Sequence, residues 1–471
     1  MLKYISRLYL VIFILFLLIY VTREFLNFSN VDNYWVILSF VPTSIIGIFC
    51  LAASFIGGSI TLYSIHWYFV LLFFVFVPLL QFINNKFLYV LDSNSIIMGN
   101  IYICLWCIFF TISYNRTVKL DNKVKEHFSI FRLILHDKIN NKLHLLIGIA
   151  VIISLTMVMI GGFNAFFTRA SYSNFVEEIG GWGPLSLIIR NYLQPLVFCI
   201  FIVCFGLLIY SKTKLTYLLL MNVIILALIL PITNNLLMFP RFYAFAILLG
   251  VIMIILQRYN KNSALVYLLI LFVGLPLSSA VDQFRSMTSL SINDLRLNIN
   301  WDFLFYGHFD AYEMFIHTIG YVSENGIVYG KQLIGALLFF IPRSIWEEKP
   351  VGSGHFAAEY LNNYFQVLNY NVGFPLVAEM FINFHILGVV FGALFYGFIS
   401  GSLDKHYNNL IAKLKYNHDK EFDFYILLHP FLIGLFLFHL RGDYISSFAY
   451  TVGFVCAFLT VLVFLKFKIK Q

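Results

Sequence analysis

The sequence predicts an all-α polytopic membrane protein of about twelve transmembrane helices, and three observations carry that prediction. The 471-residue chain is 61% hydrophobic and only 11% charged, with a mean hydropathy of +0.85, a composition that calls for lipid around most of its helices. Apolar runs of about 17 to 25 residues recur along it, the length that crosses a hydrocarbon core of roughly 30 Å. Lysine and arginine collect on alternate connections between those runs, as the positive-inside rule requires.

In chain order the runs fall at 5–22, 35–56, 61–84, 96–114, 143–162, 184–210, 215–231, 237–256, 262–280, 374–400, 424–439 and 444–465. The amino terminus, the connections at 115–142, 211–214, 257–261 and 401–423, and the carboxyl tail hold 20 of the 31 basic residues and seven of the 23 acidic ones. This basic side is the cytoplasmic one, so both termini are expected there. The chain then divides into nine helices over 1–280, a large outward loop over 281–373, and three more helices over 374–471. MLKYISR leads into the first run without a small-residue cleavage site and reads as an anchor. All six cysteines (50, 104, 107, 199, 204 and 456) sit inside apolar runs, against both disulfides and reactive thiols. The net charge of +8 does not point to nucleic acid, because the basic residues are spread over membrane connections. No internal repeat is visible, so the paired halves of many secondary transporters are missing.

Dense polar chemistry outside the runs is confined to the 281–373 loop, centred on LLFFIPRSIWEEKPVGSGHFAAEYL (337–361). The apolar or small stretch from Leu333 to Ile341 is too short to cross a bilayer and is expected to dip into it or lie on it. That places Arg343 and Trp346 at headgroup level. Pro342 and Pro350 stiffen the backbone around Arg343, whose planar fork suits phosphate oxygens. Arg190, Arg241, Arg285, Arg296 and Arg441 also lie where lipid meets water on the outward side. An arginine inside a span either snorkels to headgroups or serves a function, and for Arg190 and Arg241 both readings stand. Arg296 reads as a solvated loop residue. Gly352-Ser353-Gly354 is either an ordinary turn or a helix start facing an anion.

The segment 308–322, HFDAYEMFIHTIGYV, has helical periodicity, with Phe309, Tyr312, Phe315, Ile316 and Ile319 on one side and Asp310, Glu313 and His317 on the other. Two acids and a histidine there are expected to form the helix's wet face rather than a metal site. Glu379, within GFPLVAEMFINFHILG near the outer end of its run, is either paired with an arginine or kept as a general base. HLRGDY (439–444) forms the turn between the last two runs and brings Arg441 and Asp443 to the same side.

Together, Arg241 at the start of a mid-chain span, IPRSIWEEKP with the following VGSG, the span entry PLVAEMFINF and the late RGD turn resemble the Wzy-type O-antigen polymerases, the oligosaccharide repeat unit polymerases. The resemblance covers roughly the last half of the chain. The family order of tryptophan, acid and Lys-Pro is kept, with Glu347 and Glu348 lengthening the spacing by one residue. It implies a GT-C-like bundle with one large periplasmic loop containing short helices, in the bacterial inner membrane. It further implies metal-independent glycosyl transfer without a cofactor, between undecaprenyl diphosphate-linked oligosaccharides, with membrane lipid and a chain-length regulator protein as further partners and no nucleic acid. On that reading Arg190, Arg241, Arg285, Arg343 and Arg441 bind the diphosphates, and Arg343 also serves catalysis. Glu379 is the first candidate for the base that takes the hydroxyl proton, and Asp310 the second. The competing readings are a flippase for the same lipid-linked sugar, which should carry its charges deep in central spans, and an O-antigen ligase of related fold.

Overall fold

The computed structural model describes residues 31–56, 60–87, 91–120, 129–134, 139–162, 166, 169–178, 183–210, 216–258, 305, 309–365, 372–414 and 421–466. These residues are almost wholly helical, and seven helices are long and apolar enough to cross a membrane: Tyr34–Ser54, Leu62–Ile83, Ser93–Lys119, Asn141–Gly161, Ser186–Tyr210, Leu376–Lys413 and Tyr444–Lys466. Three shorter apolar helices, Tyr217–Thr233, Arg241–Leu256 and Tyr425–Arg441, fall on three more of the expected runs. The expected runs at 5–22 and 262–280, together with Arg285 and Arg296, lie outside the described residues.

The elements are α1 (Val31–Ile56), α2 (Leu62–Ile83), α3 (Ser93–Lys119), α4 (Ile139–Gly161), α5 (Arg169–Glu178) and α6, in which Pro184–Ile188 and Gln194–Tyr210 flank a π turn, Ile189–Leu193. Then come α7 (Thr216–Thr233), α8 (Arg241–Arg258), α9 (Ala311–Asn325), α10 (Lys331–Leu337), α11 (Ser353–Phe365), α12 (Leu376–Leu414), α13 (Tyr425–Arg441) and α14 (Tyr444–Lys466). A two-stranded antiparallel sheet pairs β1 (Arg132–Ile134) with β2 (Glu421–Asp423), Arg132 opposite Asp423.

Two apolar cores result. One is built chiefly from α1, α2, α3, α9 and the first part of α12, the other from α4 to α8 and α14, and α13 contributes to both. Close approach rests on small residues, as is usual where helices must pack without water. Gly397 and Gly401 of α12 meet Phe110, Ser113 and Tyr114 of α3, and Gly434 of α13 meets Ala246 of α8.

The expected span at 374–400 is not one straight helix. Phe384 and His385 break the helical conformation, His385 with φ +54°. A Cβ on Gly388 would run into the Met380 carbonyl, and one on Gly392 would meet Met380 Cγ at 2.6 Å. In a continuous helix residues 380 and 392 stand about 18 Å apart, so the first arm of α12 folds back along the second as a hairpin. Met380 docks in the groove left by the two glycines.

Candidate functional site

Asp310 precedes α9 and Arg441 ends α13, and the fold brings them together. Arg441 Nη2 donates to Asp310 Oδ1 at 2.6 Å, and the Gly373 N–H donates to Asp310 Oδ2 at 2.8 Å. The Arg441 guanidinium lies 4.8 Å from the centroid of Phe242 on α8. A Cβ on Gly373 would stand 2.5 Å from Asp310 Oδ1 and 2.7 Å from Arg441 Cζ, so this backbone approach needs glycine. The face expected to be wet is closed instead: Asp310 is 3% exposed and Glu313 0%. The rest of the molecule packs over α9 from both sides, which helical periodicity alone does not register.

Glu379 belongs to the folded-back arm and is fully buried. Its Oε1 accepts from the Tyr444 N–H at 3.2 Å, and the Ser353 side chain lies beside the carboxyl. Tyr444 in turn accepts a hydrogen bond at its hydroxyl from Tyr396 on the second arm, at 2.8 Å. Tyr396 lies eleven residues past the turn at His385, about 16 Å along the helix. Exposed apolar side chains line that arm from Phe384 to Phe398. Glu379 therefore sits on the folded-back arm beside the first residue of α14 and the Asp443 turn.

Asp443, in the turn before α14, anchors the start of α11. Its Oδ1 accepts from the Ser353 N–H at 2.9 Å, and Oδ2 accepts from the Ser446 hydroxyl at 2.5 Å and the Ser446 N–H at 3.2 Å. Burial pushes its carboxyl above the ordinary aspartate range, and the serine donors oppose that shift. Gly352 leaves room for this carboxylate, which a Cβ would meet at 2.7 Å. The glycine turn is thus filled by an internal carboxylate of the protein.

Of the other arginines, Arg241 is the exposed first residue of α8. The next two residues bridge the neighbouring groups, since Phe242 underlies Arg441 and the Tyr243 ring lies 4.5 Å from that of Tyr450. Arg190, in the π turn of α6, holds its guanidinium 4.9 Å from the same Tyr450 ring. Arg190, Arg241 and Arg441 therefore gather around the start of α8. Arg343 is engaged elsewhere: its Nη1 and Nη2 donate to the Lys349 and Pro350 carbonyls at 2.6 and 3.2 Å. Lys349 Nζ donates to the Phe339 and Ile341 carbonyls at 2.6 and 2.8 Å. The two cations tie the IPRSIWEEKP loop to itself, with Gly335 against Pro350 and Ile445. Ile334, Leu337, Phe340 and Ile345 are left exposed, an apolar edge of the kind expected for a segment lying on a bilayer.

Asp404, a fully buried carboxylate, is not among the residues singled out in the sequence. At the opposite end of the bundle Asp404 accepts from the Leu62 N–H (3.0 Å), the Tyr63 N–H (3.2 Å) and the Tyr114 hydroxyl (2.8 Å), with His429 Nε2 at 3.0 Å. It caps α2 from a distant helix. The available signal was a lone acid four residues beyond an apolar run. Comparisons of the chain with protein-family models, curated proteins and solved structures return no match.

Proposed function

We propose that this chain polymerises undecaprenyl diphosphate-linked oligosaccharide repeat units at the outer face of the bacterial inner membrane, moving a growing O-antigen or capsular chain onto a new repeat unit. Two observations support this reading: Glu379 is buried with Oε1 on the N–H of Tyr444, the first residue of α14, and Arg441, three residues earlier, pairs with Asp310 and lies over Phe242 next to Arg241 at the start of α8. An acceptor hydroxyl attacks the anomeric carbon of the chain to be moved, and the bond from that carbon to the diphosphate oxygen breaks. The leaving diphosphate carries away the bonding electron pair as negative charge, which Arg441 and Arg241 stabilise. The hydroxyl proton passes to the Glu379 carboxylate, which the Tyr444 N–H holds in place. Asp310 spends both oxygens on Arg441 and Gly373 and acts as the positioning residue for that arginine. Arg343 stiffens the loop beside the site, with its guanidinium turned to backbone carbonyls.

The test is a deletion strain and its surface polysaccharide. Single repeat units on the lipid A core support polymerisation. Long chains retained on the carrier would mean a ligase, and absence of both would mean a flippase.

A further inference from the structure

The end of the bundle opposite the candidate site gathers cations from separate elements into one patch. Arg132 of β1 has its Nε 3.7 Å from Asp423 Oδ2 on β2. Lys413, in the last turn of α12, and Lys466, which ends α14, lie within electrostatic reach of the same carboxyl. All three open to the surface: the Arg132 side chain is 38% exposed, and both lysines are exposed. A cation in the last turn of a helix ordinarily answers the negative end of its dipole, which accounts for each lysine singly. It does not account for their convergence. Among the described side chains there, three cations from three elements face the one carboxylate of Asp423, and like charges held together repel unless an anion joins them. An apolar surface adjoins the patch. Lys142 of α4 donates its Nζ to the Leu465 carbonyl at 2.6 Å, which draws α4 against the end of α14. Leu145 follows Lys142 by three residues and Val463 precedes Lys466 by three, each toward the middle of its helix. Residues three apart share a helix face, and these two are 51% and 41% exposed.

We infer that this surface holds an anionic glycerophospholipid, its phosphate among Arg132, Lys413 and Lys466 and an acyl chain along the exposed faces of α4 and α14. The arginine offers a planar fork to phosphate oxygens and the lysines add point charges, and basic patches between transmembrane helices suit acidic headgroups. A soluble anion would engage the cations and leave Leu145 and Val463 bare, whereas a neutral lipid would cover those two and leave the excess charge unanswered. A phospholipid with an acidic head answers both. The site lies at the other end of the bundle from Glu379 and Arg441 and is independent of the sugar transfer proposed for them.

Full-length protein in a neutral detergent is titrated with phosphatidylglycerol, with phosphatidylcholine and with inorganic phosphate, and bound lipid is counted by native mass spectrometry alongside the melting temperature. Phosphatidylglycerol is expected to bind at least tenfold more tightly than phosphatidylcholine and to raise the melting temperature, while inorganic phosphate at the same concentrations leaves it unchanged. Lys413→Gln combined with Lys466→Gln removes two exposed charges, each worth about fivefold beside an anionic lipid. This double variant should bind phosphatidylglycerol at least tenfold more weakly, with phosphatidylcholine binding and the lipid-free melting temperature as in wild type. Arg116→Gln combined with Lys119→Gln removes the same charge from the exposed end of α3 and should stay within twofold of wild type. Equal losses in the two double variants would mean diffuse attraction to a basic face and would overturn the site. Wild-type phosphatidylglycerol affinity in the Lys413 and Lys466 variant overturns it as well, and so does inorganic phosphate that stabilises the protein as much as the lipid does.

Discussion

Glu379 is a fully buried carboxyl with one oxygen on the Tyr444 N–H, which makes its substitution informative. Glu379→Gln keeps the shape and loses the proton affinity, so polymer should disappear while repeat-unit binding survives; wild-type ladders would remove it from the reaction. The Asp310–Arg441 pair differs, because both members are held in the fold. Asp310→Ala leaves a largely buried guanidinium without its carboxylate, and loss of such a partner costs about 3–5 kcal/mol. A large drop in melting temperature together with lost polymer is expected, and the double variant Asp310→Ala with Arg441→Met should recover much of the stability and none of the activity. His317 gives the pH signature of α9. Burial pulls its imidazole down from 6.5 to about 4, so the folded state disfavours the charged ring. Its contribution to stability is complete above pH 6.5 and is lost as pH falls toward 4. Wild type should therefore lose more melting temperature between pH 7 and 4.5 than His317→Gln does; equal losses would remove this role. Glu379 and Arg441 could be picked out in the sequence because a lone charge among apolar residues is conspicuous. Their partners could not, since Asp310 and Arg441 are 131 positions apart and no local pattern links them.

The hairpin of α12 is the element that carries Glu379, and it left almost no trace in the sequence. Breaks of this kind normally carry glycine or proline, whereas this one falls on Phe384 and His385, inside an unbroken apolar run. The trace is the pair Gly388 and Gly392, one turn apart, which hydropathy counts as ordinary span residues. Their roles predict an order of severity. Gly388→Ala drives a methyl into the backbone carbonyl of Met380, which cannot step aside, whereas Gly392→Ala meets the flexible end of the Met380 side chain. The first should abolish polymer and well-folded protein, and the second should retain part of both. His385→Gly relieves a left-handed φ of +54°, a strain of about 1 kcal/mol, and should be tolerated. The reverse order for the two glycine variants, measured by size-exclusion profile and ladder, would mean that the arms do not dock as described. The straight helices were easier to anticipate, because apolar length and capping act locally: Asp92 caps α3 through the Ser95 N–H, and Thr61 with Ser64 boxes α2.

At the scale of the whole molecule the polar groups sort to two ends. Arg441, Asp310 and Asp443 lie at one, and Asp404, Arg132, Asp423 and Lys405 at the other, where Lys405 Nζ donates to the Leu120 carbonyl. The charge bias of the sequence predicts that the second end faces the cytoplasm and, with it, that the candidate site and the Arg343 loop face outward. Ser344, on the exposed loop, and Ala412, exposed near the end of α12, are suited to test this. In a background with Cys50, Cys104 and Cys456, the cysteines that are not buried, replaced by alanine, Ser344→Cys should react with an impermeant maleimide in spheroplasts. Ala412→Cys should react only after permeabilisation. The opposite labelling would turn the site toward the cytoplasm, where translocated repeat units are absent, and polymerisation would fail as the function even though every contact around Glu379 were correct. Labelling of Ser344→Cys alone, with full polymer retained, would fix Arg441, Asp310 and Glu379 on the side where flipped repeat units arrive. The exposed Ile345 and Phe340 beside Ser344 should then slow the same reagent when anionic lipid vesicles are fused to the membrane, because a loop lying on the bilayer is shielded by it.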